Sequence, residues 1–358
     1  MRLVYLLQVL FCLPASFAAW CQDCSVSTLT LHLVHCRVLQ GLLASATGKH
    51  TRSGGIADSR IASLANNQPL QLALLTCAVE LTCYCTTGAA SFPAITSSLG
   101  QLPAALDIWE ACEHFLHYLA AETAIPLADS VSNYLLFMRI KIVEDIAWRT
   151  GSSLYHAICE GGGGSRSPGD YALVCSYLNS VDGLARTRVL AAAAGVATMN
   201  AALNQVPAFS EECVWLMGLV SQEHLDLLFN QHLSNVIACC VYGIARVHGA
   251  SVSFKKMTDT IMHTFPHHTL EDFKQAELMP GVEGAAAQYG DTRQLYNEIF
   301  LPRLEGALQQ RFPAMHQHEE QLPAVASKQV LQARRAPLKS LAATDMNTRP
   351  SRFHRMQS

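Results

Sequence analysis

Tyr242 and Arg246 stand four residues apart in the stretch His232–Lys255, HLSNVIACCVYGIARVHGASVSFK. In a helix that spacing places a phenol and a guanidinium on one face, in line with Asn235 and Cys239. Such a stripe is neither a clean core face nor a solvated one, and it could form one wall of a groove for an extended peptide. The residues alone fit equally a helix end with a part-buried tyrosine and a surface arginine. Leu233, Val236, Ile237, Cys240, Val241, Ile244 and Val247 recur at three- and four-residue steps, which predicts a helix buried along its other side.

Other chemistry-bearing groups suggest less. Trp20-Cys21-Gln22-Asp23-Cys24 has the spacing of a thiol redox pair, but no βαβ pattern surrounds it and no second CxxC completes a zinc set. His263, His267 and His268, then His316 and His318, lie in polar segments with no Cys or carboxylate at ligand spacing, so surface histidines and no metal are expected. Gly161-Gly162-Gly163-Gly164 lacks the Gly-Lys-Ser/Thr ending of a phosphate loop. No nucleophile elbow, metalloprotease motif or dinucleotide fingerprint occurs, and neither an enzyme nor a cofactor is expected.

The elements that would position these residues read as helices throughout. Half of the 358 residues are hydrophobic and 15% are charged, which suits a globular chain with room for two domains. Period-two strand patterns are scarce, so the expected fold is all-α. Leu31–Ala44, Leu70–Tyr84, Ala105–Leu119, Ser130–Trp148, Arg186–Leu203 and Leu295–Leu308 carry helical periodicity. Pro93 is read into the first turn of a new helix. Gly161–Gly169 is a flexible Gly/Ser linker. No stretch of about eighteen uninterrupted apolar residues is present, so no transmembrane helix is expected.

Several of these segments resemble the retinoblastoma-related pocket proteins. LLTCAVEL (from Leu74), SFPAI (from Ser91) and Ile142–Ile158, with its Ala147-Trp148…Ser152-x-Leu154 spacing, resemble that family's A box. Glu212-x-x-Trp215, Leu227-x-Phe229-Asn230-x-His232-Leu233, Ile237–Arg246 and Tyr296-Asn297-Glu298-Ile299-Phe300 resemble its B box. The resemblance implies two cyclin-like helical boxes packed as a pocket, the A box (24–160) incomplete and the B box (179–312) following a linker (161–178). It implies a nuclear, non-enzymatic co-repressor that holds E-two-F/DP transcription factors and recruits chromatin regulators by their Leu-x-Cys-x-Glu peptides. Carried over residue by residue, the peptide groove falls on Tyr242, Tyr296 and Asn297, with Arg246 and Lys255 at a basic rim. An Asn amide and a Tyr hydroxyl can satisfy an extended backbone, and the cations draw acidic flanks. Arg293 and Leu301 fall on two apolar flank positions, and the arginine is expected to narrow the leucine pocket. Basic residues expected at the A/B cleft reduce to Arg186 and Arg188, and Glu110 falls where a lysine is expected.

The ends are read separately. Arg2, the apolar run Leu3–Leu13 and the small residues to Ala19 have the shape of a secretory signal (1–23) or of a mis-assigned start. Thirteen cysteines, several in apolar helical patterns, read as reduced core thiols. The basic tail 313–358 contains Lys339-Ser340-Leu341, a candidate cyclin-docking tripeptide. Ser167-Pro168 is a candidate target of a cyclin-dependent kinase. The rival readings are a secreted or lumenal Cys-rich helical protein and a cyclin or general-transcription-factor-like adaptor.

Overall fold

The computed structural model describes residues 67–88, 92–93, 104–122, 129–159, 168–265, 267–279 and 287–313. The stretch 1–66, including Leu31–Ala44 and the Trp20–Cys24 pair, lies outside the described residues. Through Arg303 the chain forms one compact unit, and from Leu304 a second begins.

Helix α1 (Gln68–Thr87) begins where the Asn67 side chain accepts the Leu70 N–H at 3.2 Å, with Pro69 in the first turn. It stops at Gly88, whose φ of 70° is a left-handed cap glycine adopts without penalty. By length and composition alone it could cross a membrane. Instead it is buried nearly all round, from Leu70 to Cys83, as the central helix of a bundle. Its fully buried Glu80 accepts the Tyr134 hydroxyl at 2.8 Å.

Around α1 pack α2 (Ala105–Glu122) and α3 (Asp129–Glu144). The 3-10 turn Ile146–Trp148 and α4 (Ser153–Cys159) follow. The Ala147-Trp148…Ser152-x-Leu154 spacing is explained by this turn. Ser152 Oγ donates to Ala147 O at 2.6 Å and accepts the Tyr155 N–H at 3.0 Å, while Trp148 Nε1 donates to Val143 O at 2.7 Å. Trp148 and Leu154 are fully buried as a result. Phe92-Pro93 lies in a turn, and the segment that follows Pro93 is outside the described residues.

The expected linker 161–178 needs correction. Helix α5 runs from Pro168 to Met199, because proline suits a helix start and the apolar spacing continues unbroken. Tyr177, Val181, Ala185, Val189, Ala192, Ala193 and Val196 are all buried at three- and four-residue steps. At 32 residues it is about 48 Å long, enough to contact helices of both boxes. Tyr177 sits edge-on to Trp109 with centroids 5.7 Å apart and donates its hydroxyl to Ile142 O at 3.4 Å.

The second box comprises α6 (Ala201–Asn204), α7 (Phe209–Glu223), α8 (Leu233–Val247) and α9 (Phe254–Thr264), then a 3-10 turn, Leu270–Phe273. A short antiparallel hairpin, β1 (Ala276–Met279) with β2 (Gln288–Gly290), pairs Ala276 with Gly290. Its few residues are too short to show a period of two in the sequence. α10 (Thr292–Leu295), a π-helical turn (Tyr296–Phe300) and α11 (Leu301–Arg311) follow. α8 is central, packing against α5, α7, α9 and α10. Each of its fully buried Leu, Ile and Val side chains stabilises the box by about 1.5–3 kcal/mol.

Candidate peptide-binding groove

The stripe Asn235, Cys239, Tyr242 and Arg246 passes from buried to exposed along α8. Asn235 and Cys239 are fully buried, Tyr242 half-buried and Arg246 exposed. Its buried half is the seam that holds α10. Thr292 Oγ1 donates to Asn235 Oδ1 at 2.7 Å, Asn235 Nδ2 donates to Asp272 O at 2.8 Å, and Cys239 Sγ lies 3.8 Å from Thr292 O. Fixing Thr292 fixes the start of α10, which Asp291 caps by accepting the Gln294 N–H at 2.8 Å.

One turn further, Tyr296 meets Tyr242 edge-on, centroids 4.9 Å apart. Phe254, the first residue of α9, stacks on Tyr242 at 4.0 Å and lies 5.6 Å from Tyr296. A Cβ on Gly243 would touch Leu216 and the Tyr296 ring at 3.6 Å, so that ring lies directly on α8 with room for little more than a methyl. The π-turn carries Tyr296 and Asn297, and its i→i+5 bond joins the Leu301 N–H to Tyr296 O. Such turns recur where a helix must re-aim side chains at a site.

The structure therefore brings Tyr242 and Tyr296 into direct contact, with Asn297 exposed on the residue after Tyr296. Arg246 stands one helical turn after Tyr242, and Lys255 follows Phe254. Both are exposed and make no ion pair among the described residues. Phe254 is not among the groove residues read from the sequence. Ser253, which accepts the Lys256 N–H at 3.2 Å, is the N-cap signal that marks a helix starting there. Ser167, Lys339 and Leu341 lie outside the described residues.

The histidine reading needs a second correction. The His268 side chain is buried, and Glu144 from α3 and Asp272 from the following turn converge on it. Arg188, expected at an open cleft, is 4% exposed and forms an ion pair with the buried Glu144 of α3. Its Nη1 donates to His268 Nε2 at 2.6 Å and its Nη2 to His267 Nε2 at 2.9 Å. Both imidazoles thus accept on Nε2 and are neutral. Burial, then the Arg188 charge, lowers His267 to about 4. Burial, partly opposed by Asp272, lowers His232 to about 4. Glu144, His267 and His268 have the donor types of a metal site, but the Arg188 guanidinium already supplies the positive charge there. Arg186 is exposed, and Glu110 lies 3.7 Å from His114 of its own helix. Neither arginine forms an open basic face with the other.

The A-box spacing around Trp148 and the B-box segment Leu227–Leu233 meet at the same joint. Phe229 packs edge-on against Trp148 (5.7 Å) and Tyr155 (5.0 Å). Asn230, at a left-handed φ of 57°, donates its backbone N–H to Trp148 O at 2.9 Å. Its Oδ1 accepts the Thr150 N–H at 2.7 Å and its Nδ2 donates to Glu277 Oε1 at 3.0 Å.

Comparison with known proteins agrees with this division into two boxes. The family model for the retinoblastoma-associated protein A domain matches residues 17–158, and that for the B domain matches residues 181–305. Together they take in about three quarters of the chain. The chain belongs to the retinoblastoma-related pocket family, and its two matched regions are cyclin-like helical boxes. A retinoblastoma-related protein of Camellia sinensis is 29% identical over 105 residues, which is 27% of this chain and 10% of that protein. Retinoblastoma-related protein 2 of Oryza sativa subsp. japonica is 27% identical over 103 residues, 28% and 10% respectively. The aligned stretch thus spans about a tenth of the length of these curated relatives.

Proposed function

We propose that the chain is a non-enzymatic pocket scaffold of transcriptional regulation, acting in the nucleus through the groove built on α8, α9 and the π-turn. The observation that carries this reading is the contact of Tyr242, Phe254 and Tyr296 beside the exposed amide of Asn297. An apolar floor next to a paired donor and acceptor suits an extended peptide, whose backbone needs partners and whose alternate side chains need pockets. The partner class is the Leu-x-Cys-x-Glu segment of chromatin regulators. E-two-F/DP-type transcription factors would be held elsewhere on the pocket, and cyclin-dependent phosphorylation at Ser167 would release them. Burial of Arg188 withdraws one of the two arginines expected at the A/B cleft, so the groove is the stronger half of the proposal.

The test is a fluorescence titration of a labelled Leu-x-Cys-x-Glu peptide. Wild-type protein should bind at micromolar concentration or tighter, and Tyr296→Ala/Asn297→Ala should remove binding while the helical circular-dichroism spectrum persists. A folded wild type that ignores the peptide would sink the reading.

A further inference from the structure

The histidine cluster holds two sets of metal-type donors that share His268. One set, with Glu144 and His267, is taken up by the Arg188 guanidinium. The other is His232, His268 and Asp272, whose donor atoms all lie within 4.8 Å of one another. In a tetrahedral zinc site the donor atoms stand about 3.3–3.5 Å apart. His268 Nδ1 is already 3.7 Å from Asp272 Oδ2, and the His232 and His268 rings meet at 89° with centroids 5.3 Å apart. Small side-chain rotations close this trio on one cation.

The charges and the hydrogen bonds favour a cation there. Glu144 is matched by Arg188 and Asp145 by Arg149. Among the described residues Asp272 is in ion-pair contact with His268 alone, and Lys141 acts on it from further off. Despite burial, the His268 side chain and the Thr269 N–H hold the Asp272 carboxyl well below the usual carboxylate range. Burial keeps the imidazoles of His232 and His268 neutral, the form that ligates a metal. His232 Nδ1 accepts the Ser234 N–H at a long 3.3 Å, while its Nε2 is buried with no hydrogen-bond partner among the described residues. A buried nitrogen left so is costly, and a cation would satisfy it. A ligating imidazole needs an acceptor for its other N–H. With Nδ1 on the metal, His268 Nε2 has Ser234 Oγ at 3.2 Å and the buried Glu144 Oε1 at 3.5 Å, and Arg188 keeps its pair with Glu144. We propose that His232, His268 and Asp272 form a zinc site, with a fourth position for water, that ties the start of α8 to the Leu270–Phe273 turn.

The test frees the full chain of metal with a chelator, then titrates zinc(II) or cobalt(II) under reducing conditions. Wild type is compared with His232→Gln, Asp272→Asn, His267→Gln and Cys21→Ser/Cys24→Ser. Zinc should bind and raise the thermal midpoint of wild type. Cobalt should give the visible bands of a four-coordinate nitrogen and oxygen site. His232→Gln and Asp272→Asn, folded by circular dichroism, should each weaken zinc at least about tenfold. His267→Gln and the double cysteine variant should retain the site. A near-ultraviolet thiolate band in place of the nitrogen and oxygen bands would put the cation on cysteines and overturn the proposal, whether or not the variants fold. Loss of zinc in the double cysteine variant would do the same. Loss in His267→Gln with binding kept in His232→Gln would move the cation to the Glu144 set, which also overturns it. So would a folded wild type that takes up no zinc.

Discussion

At the scale of single residues, the Glu144–Arg188 pair is where chemistry and packing are most tightly tied. Both groups are withdrawn from water. Burial lowers the guanidinium to about 10, which leaves it charged at neutral pH. Removing either partner strands the other charge in a medium that solvates it poorly, so Glu144→Leu or Arg188→Met should each cost about 3–5 kcal/mol. Removing both should recover most of that loss, since apolar side chains of similar volume often replace a buried pair at little cost. Urea denaturation of the two single variants and the double variant measures this. A double variant as unstable as the sum of the singles would show that the pair is not coupled. The sequence shows neither partner's role, because 44 residues separate them and each has ordinary helical neighbours.

Among elements, the crossing of α5 with α9 sets how the second box closes. Gly195 lies at that crossing, and a Cβ there would stand 2.9 Å from Thr260 Cγ2 and 3.4 Å from Thr264 Oγ1. Leucine is a better helix former than glycine, yet Gly195→Leu should destabilise by about 1–3 kcal/mol because α9 must move outward. Thermal unfolding followed by circular dichroism would read this. An unchanged or raised midpoint would mean that α9 yields freely. Since α9 begins with Phe254, the same substitution should also loosen the Tyr242–Phe254 stack. α8 was legible from its apolar spacing alone: Leu233, Val236, Ile237, Cys240, Val241 and Ile244 are buried as that spacing requires, and Val247, at the helix end, is half-buried. The start of α5 was not, because a Gly/Ser run conceals the proline from which the helix grows.

Across the molecule, ionisable groups collect where α3, α5 and the Leu270–Phe273 turn meet: Glu144, Asp145, Lys141, Arg188, His232, His267, His268 and Asp272. Burial is the first cause that lowers the three histidines, so the folded state resists their protonation while the unfolded chain accepts protons near its ordinary value of about 6.5. Stability should therefore be level above about pH 7 and fall as pH drops from about 6.5 toward 4, where the unfolded state binds more protons. Urea midpoints across that range should decline, and His267→Gln/His232→Gln should flatten the decline. An unchanged slope in that variant would place the pH dependence in other groups. Local periodicity by itself determined most of the described helices, since burial in a helix imprints a period on nearby residues, and the resemblance to the pocket family pointed to the two boxes and to Tyr242, Tyr296 and Asn297. Only the tertiary structure decided that Phe254 completes the aromatic floor, that Asn235 and Thr292 hold α10 in place, and that His268 and Arg188 are interior. Those contacts join residues tens of positions apart, and their energy comes from desolvation and partnership in space, which leave no period along the chain.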